Sequence, residues 1–299
     1  LTGSYTKGSI LFETTITEPN TPTKTGYTFA GWNNAVPTTM PATDKTFTAT
    51  WTPNTNTPYV VKHYRQALNG TYPAALMETE NLTGTTATNV KPVVKTYTGF
   101  TSPAPKETTI LADGSTVVEY YYTRNKYTLT WVTDGDALTG SYTKGLVLYE
   151  VPITQPNTPT KKGYTFAGWN EAVPATMPAT NKTFTATWDA NQYTITLDKQ
   201  GGTGGTSSVL VAFDQTLPTI IAPTRIGYTF AGYYDAVEGN GTPYYNNSGV
   251  GMLTWTTASN GTLYAAWTPN TNTAYVVKHY RQALDGTYPS SLMEVENLT

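Results

Sequence analysis

Two histidines, His63 and His279, are the only imidazoles in the 299-residue sequence. Each sits inside the same phrase, Tyr-Val-Val-Lys-His-Tyr-Arg, with no second histidine nearby. A zinc centre needs several converging ligands, and a Ser–His–Asp relay needs its partners beside the base. Neither can be assembled around these positions, so each histidine reads as a half-exposed strand residue. Asp134 and Asp136, in Thr-Asp-Gly-Asp, offer carboxylate oxygens of the kind that hold calcium. Asp-Gly is equally a turn signal, and the turn is the simpler reading. The run GGTGGTSS at Gly201–Ser208 carries no lysine and opens no helix, so it joins strands and does not cradle phosphate. Cysteine is absent, which removes disulfides, thiolate chemistry and Cys-based zinc sites together. The sequence therefore assigns no catalytic residue, no cofactor site and no metal ligand, and it does not read as an enzyme.

The elements that would have to position any site are short strands. Charged residues are only 13% of the chain and the formal net charge is −2, so no basic surface points to nucleic acid. Threonine fills the gap with 63 residues, and tyrosine adds 23; both suit pleated, half-buried strands. No run of 18 apolar residues is present, so no membrane-inserted helix is expected in this segment. A Cys-free, Thr-, Asn- and Gly-rich chain fits an exported protein of a bacterial cell surface. The sequence opens at Leu1, without Met and inside a repeat, as a window cut from something longer would.

Repetition dominates the chain. GYTFAGW occurs at Gly26–Trp32 and Gly163–Trp169, and GYTFAGY at Gly227–Tyr233. Each is followed by a strand-like phrase ending in Trp: FTATW at Phe47–Trp51 and Phe184–Trp188, LYAAW at Leu263–Trp267. Residues 1–51 recur at 138–188, an offset of 137, and residues 52–83 recur at 268–299, an offset of 216. Two alternating module types follow: a partial module at 1–51, a second type at 52–125, complete copies of the first type at 126–188 and 189–267, and a partial second type at 268–299. Near-copies in series suit length, stiffness and multivalency more than a single active site.

Alternation is strict in KYTLTW, where Tyr127, Leu129 and Trp131 share a face, and in QYTITL, where Tyr193, Ile195 and Leu197 do. Asn69-Gly70 and Asp113-Gly114 are turn signals beside the strands YVVKHYR and STVVEYYYT. Prolines interrupt the best helical candidate, so at most one short helix per module is expected. Trp32, Trp51, Trp169 and Trp188 read as core anchors. Residues 1–51 lack the strand equivalent to Tyr127–Trp131, so that module should be open at an edge. The connectors TPNTNT, RNK and DANQ are short, which predicts an elongated array of modules that touch their sequence neighbours. The copy at 189–267 carries a 15-residue insertion, EGNGTPYYNNSGVGM, after its GYTFAGY phrase. Loops that tolerate insertions often carry function, and its paired Tyr244 and Tyr245 are the candidate ligand surface.

The first module type resembles the Listeria–Bacteroides repeat, also called the internalin B-repeat. The resemblance rests on YTITLDKQGGTGG (Tyr193–Gly205), the GYTFAGW phrase, the Met-Pro-Ala step (Met40–Ala42 and Met177–Ala179) and the closing FTATW or LYAAW. It departs where VTDGDALTGSYTKG replaces the Gly-Gly run. The second type is similar to MucBP, the mucin-binding-protein repeats, through VVKHYRQALNGTY, ENLTGTTATN (Glu80–Asn89) and YTGFTSPAPKETTILADGSTVVEYYYT. Both resemblances imply β-grasp, ubiquitin-like modules, mainly β with α+β character, strung along long extracellular proteins. The function they imply is a stalk or spacer of a repetitive cell-surface adhesin or fibre protein. The alternatives are direct binding of glycans, mucins or other cell-surface proteins, and self-association into a filament or matrix.

Overall fold

The computed structural model describes residues 1–299, the side chains of Leu76 and Leu292 excepted. The chain divides into two compact units. One comprises Leu1–Thr130, Tyr142–Gln155 and Val173–Thr183, the other Trp131–Ser141, Pro156–Ala172 and Phe184–Thr299. It is mainly β, in several small sheets in tandem. The only helical segments among the described residues are 3₁₀ turns at Ala74–Leu76, Val237–Gly239 and Ser290–Leu292.

Nineteen strands follow in chain order. β1 (Tyr27–Trp32) and β2 (Ala49–Pro53) form an antiparallel pair. β3 (Thr57–Arg65), β4 (Met77–Gly84), β6 (Phe100–Thr101) and β8 (Val117–Arg124) make a sheet in the order β4-β3-β8-β6, while β5 (Asn89–Val90) pairs with β7 (Thr108–Thr109). β9 (Lys126–Val132), β10 (Gly145–Leu148), β11 (Tyr164–Trp169) and β12 (Lys182–Ala190) make the order β10-β9-β12-β11. β13 (Gln192–Asp198), β14 (Ser208–Ala212), β15 (Tyr228–Tyr234), β16 (Pro243–Tyr245) and β17 (Gly261–Pro269) make the order β14-β13-β17-β15-β16. A hairpin of β18 (Tyr275–Tyr280) and β19 (Met293–Leu298) closes the chain. The three larger sheets share one plan: the first strand lies between the second and the last, and the third flanks the last. The first and last strands run parallel in β3–β8 and β13–β17.

The alternation written in the sequence sets which face is buried. In β8, Val118, Tyr120 and Tyr122 point inward with Tyr59, Val61 and Ile110. His63 belongs to this core. It is fully buried, with Nδ1 2.8 Å from the Tyr122 hydroxyl, and is not the half-exposed strand residue the sequence predicts. The cause is β8, which lies against β3 and brings Tyr120 and Tyr122 over the imidazole. In the repeat-equivalent hairpin β18–β19, with no such third strand, the His279 side chain is 53% exposed. Beside His63 the Tyr122 hydroxyl accepts the Lys95 backbone N–H, and the Lys95 ammonium sits between Glu78 and Glu80. Hydrogen bonds from Lys95, then from Tyr97, hold the Glu78 carboxyl below its usual range.

The same dependence on a covering strand appears at residues 1–53. In the complete copy, Trp131 packs 4.8 Å from Phe184 and 4.7 Å from Trp169. Phe184 and Met177 are fully buried. Their equivalents Phe47 and Met40 are only half-buried, and with Trp32 they line an open groove of about 210 Å³. Residues 45–48, equivalent to the start of β12, are not strand. Within residues 1–53 only β1 and β2 pair, so no ladder holds that segment extended. Phe184→Ala should cost its sheet about 3–5 kcal/mol and Phe47→Ala less than about 1 kcal/mol. Amide exchange read at Trp188 and Trp51 checks both; equal losses would mean that residues 1–53 hold a core as closed as that of 126–190.

Candidate functional site

The connectors RNK and DANQ are strand but for one residue each, and TPNTNT is outside strands only at Asn54, Thr55 and Asn56. Thr52 and Pro53 lie in β2, Arg124 in β8 and Lys126 in β9, Asp189 in β12 and Gln192 in β13. Between β8 and β9, and between β12 and β13, a single asparagine stands outside the strands: Asn125 and Asn191. Each is held by the same three bonds. Asn125 N–H donates to the Gly99 carbonyl at 2.9 Å, the Thr101 hydroxyl donates to Asn125 Oδ1 at 2.6 Å, and the Asn125 carbonyl accepts Tyr149 N–H at 2.9 Å. For Asn191 the partners are Gly163, Thr165 and Phe213, at 2.9, 2.6 and 2.9 Å. For Asn54 they are Gly26, Thr28 and Thr86, at 2.9, 2.8 and 2.9 Å. Asn270 repeats the first two bonds, to Gly227 at 2.9 Å and from Thr229 at 2.7 Å. The asparagine thus ties the sheet behind it, through Gly and Thr, to the turn of the sheet ahead, through its carbonyl. At about 0.5–1.5 kcal/mol net per bond, the three bonds together offset the roughly 1–2 kcal/mol of fixing one residue's backbone.

Glycine is required at these points for two reasons. Gly26, Gly99 and Gly163 have φ of +75°, +79° and +79°, which L side chains rarely adopt. A Cβ there would also collide with the next sheet's turn, 2.7 Å from Ala112 Cα, 2.2 Å from Tyr149 Cδ1 and 2.3 Å from Phe213 Cγ. Side chains add to two junctions. The Arg124 guanidinium donates to the carbonyls of Gln66 and Tyr149, pairs with Glu150, and lies 4.7 Å from the Phe100 ring centre. The Tyr164 hydroxyl donates to Asp214 at 2.9 Å, and this bond raises its pKa above the ordinary tyrosine value.

The residues singled out in the sequence lie elsewhere. Asp134 meets Lys161 at 3.0 Å, whereas Asp136 accepts the Thr160 hydroxyl at 2.6 Å, so the two carboxylates serve separate partners. Among the described residues no group of three or more His, Asp or Glu is placed to hold a metal ion. The insertion at 238–252 adds β16 to the free side of β15, with Tyr233 opposite Tyr245. Tyr245 is fully buried, its ring against Tyr233 and its hydroxyl donating to the Pro218 carbonyl at 3.1 Å. Tyr244 is half-buried, with its ring 5.7 Å from that of Trp255. Burial pushes the Tyr233 and Tyr245 hydroxyls up to about 12.

The Listeria-Bacteroides repeat domain matches residues 2–61, 127–191 and 193–274. The chain belongs to this family. It is 38% identical to Internalin H of Listeria monocytogenes serovar 1/2a over 129 residues, 40% of this chain and 22% of that protein. It is 22% identical, over 298 residues, to an Evansella cellulosilytica protein provisionally named a Gly-rich membrane protein, covering 89% of this chain and 33% of that one. The chain therefore spans between about a fifth and a third of the length of these relatives. No helix among the described residues is long and apolar enough to cross a membrane.

Each of the three matched Listeria-Bacteroides stretches contains one Gly-Tyr-Thr and one junction asparagine, Asn54, Asn191 or Asn270. The unmatched stretch between 61 and 127 builds the same junction from Gly99, Thr101 and Asn125. The sequence held a signal for it: Thr and Asn stand 26, 24 and 26 residues apart, and 41 apart in the copy with the 15-residue insertion.

Gly163→Ala, which drives a methyl into Phe213, should destabilise by more than Gly227→Ala, where a Cβ meets nothing within 4 Å. The extra cost is about 1–3 kcal/mol by denaturant titration, and equal costs would leave only the backbone strain common to both. A second outcome concerns pH. Because the two buried tyrosines have folded pKa values of about 12 against an ordinary 10, the unfolded chain loses these protons first. Their contribution is intact below pH 10 and disappears as pH rises through about 12. Ultraviolet titration should show delayed tyrosinate formation followed by cooperative loss of the 192–269 sheet; unfolding already complete below pH 10 would contradict it.

Proposed function

We propose that this chain is a stiffened spacer, a stalk segment of a long repetitive protein on a bacterial cell surface, working outside the cell and without catalysis. The observation that carries the reading is the repeated junction, in which one asparagine, held from both sides, replaces a flexible linker. Flexible Gly/Ser tethers let domains swing freely, whereas three bonds to one residue restrict that swing. The similarity to Internalin H and to a Gly-rich membrane protein supports a place in a long surface protein. The junction asparagines set the proposed module limits at Asn54, Asn125, Asn191 and Asn270, close to the ends of the sequence repeats. We assign each complete module to a β-grasp type reduced to its sheet. The second-first-last-third strand order and the parallel central pairs support it. The module at 52–125, MucBP-like in its phrases, takes the same assignment.

Spin labels test the stiffness. The chain has no cysteine, so Val93→Cys and Leu146→Cys, at 81% and 72% exposure, place one label on each side of Asn125. The expected distance distribution is narrow in this pair and broad once Thr101→Val and Asn125→Gly are added, with melting temperature nearly unchanged. A broad distribution before those changes, or a compact globule in small-angle scattering, would reject the spacer reading.

A further inference from the structure

We propose that the sheets at 57–124 and 192–269 are mechanical clamps that resist tension applied along the chain. The proposal deepens the spacer reading and takes its biological setting from it, but its physical content rests on topology. In each sheet the strand that begins it and the strand that ends it are parallel neighbours. Val60 lies opposite Val117 and Arg65 opposite Tyr122; Ile195 lies opposite Gly261 and Asp198 opposite Tyr264. The N-terminal end of β3 and the C-terminal end of β8 are therefore at opposite ends of their pair, and so are those of β13 and β17. Tension carried through Asn54 and Asn125, or through Asn191 and Asn270, drags the two strands past each other along their axes. The ladder bonds between them must then be strained together. An antiparallel hairpin pulled from its open end gives way one bond at a time.

Backbone and side-chain contacts reinforce the sheared pair. Val60 N–H donates to the Thr116 carbonyl and Gln66 N–H to the Tyr122 carbonyl, both at 3.0 Å, at the two ends of the β3–β8 ladder. Between them His63 Nδ1 lies 2.8 Å from the Tyr122 hydroxyl, and the rings of Tyr64 and Tyr121 stack at 5.0 Å across the pair. At the exit, Arg124 N–H donates to Gln66 Oε1 at 3.1 Å and Arg124 Nε donates to the Gln66 carbonyl at 3.0 Å. In the other sheet, Thr194 N–H donates to Asn260 Oδ1, just before β17, and Trp267 Nε1 donates to the Lys199 carbonyl, just after β13, both at 2.9 Å. Within residues 268–299 the hairpin β18–β19 repeats the phrase of β3 with only an antiparallel partner, which makes it a built-in comparison for end-to-end pulling of this 1–299 segment.

Single-molecule stretching of the 1–299 chain through its ends tests this. Forced unfolding follows the unfolding barrier and not equilibrium stability. The expected trace contains high-force steps releasing roughly 230 Å and 265 Å, for 68 and 78 residues at about 3.4 Å each, and no high-force step for residues 268–299. The second arm attaches the handles at Thr55→Cys and Thr83→Cys, which lie at one end of the antiparallel β3–β4 pair and peel it open. At the same pulling speed this geometry should yield at a clearly lower force, because bonds peel one at a time and the barrier to each is small. Equal forces in the two geometries, or low-force release of the 68-residue step in end-to-end pulling, would overturn the clamp. Either result would leave the spacer reading standing, since label distances across Asn125 report on stiffness and not on strength.

Discussion

Everything along this chain hangs on how one asparagine satisfies three hydrogen-bonding groups at once. A residue between two sheets would ordinarily expose its backbone groups to water and leave the sheets free to turn about it. Here the N–H is claimed by a glycine carbonyl of the sheet behind, the carbonyl by an N–H of the turn ahead, and the side-chain oxygen by a threonine hydroxyl. Asparagine suits the position because its short amide can accept locally without bearing charge. Glycine suits its partner because the approach is too close for a Cβ and the backbone is left-handed there. The junction therefore dictates residue types at three separated places, and those places recur with each module.

The sheets that the junctions connect are small, and they depend on completeness. His63 and His279 occupy equivalent positions in identical phrases, yet one is buried beneath two tyrosines and the other is half exposed. Phe184 and Phe47 differ in the same way. In a sheet of four strands each inner strand supplies the ladder and the cover for its neighbours. Removing one strand costs both backbone pairing and burial. With no disulfide and, among the described residues, no cluster able to hold a metal, aromatic packing supplies the remainder. Indole N–H groups are satisfied by loop carbonyls, as with Trp188 on Thr133 and Trp267 on Lys199.

The insertion at 238–252 illustrates how the same scaffold absorbs extra chain. It adds a strand beside β15 and turns Tyr245 into the core, so that its length is spent on covering an edge. The close approach is possible because Gly232 leaves room for the Tyr245 carbonyl, which would lie 2.3 Å from a Cβ. In the other copies the equivalent Gly31 and Gly168 have nothing within that space, so their glycine answers to the positive φ of the bulge alone.

By itself the sequence determined the repeats, the strands and the faces they bury. Period-two alternation is local, and an offset of 137 residues is visible without coordinates. Tertiary structure decided what the letters left ambiguous. RNK and DANQ read as short linkers because polar residues around an asparagine look like a loop; only pairing with distant strands shows that every residue of each but the junction asparagine is strand. The first and third residues of Gly-Tyr-Thr-Phe-Ala-Gly-Trp read as part of a core motif, yet its threonine serves an asparagine 26 or 41 residues away. His63 could not be told from His279 in sequence, because burial is a property of the strand that lies over a residue. Tyr244 and Tyr245 looked alike on a loop, and the added strand separated them, since neighbours on a strand face opposite sides.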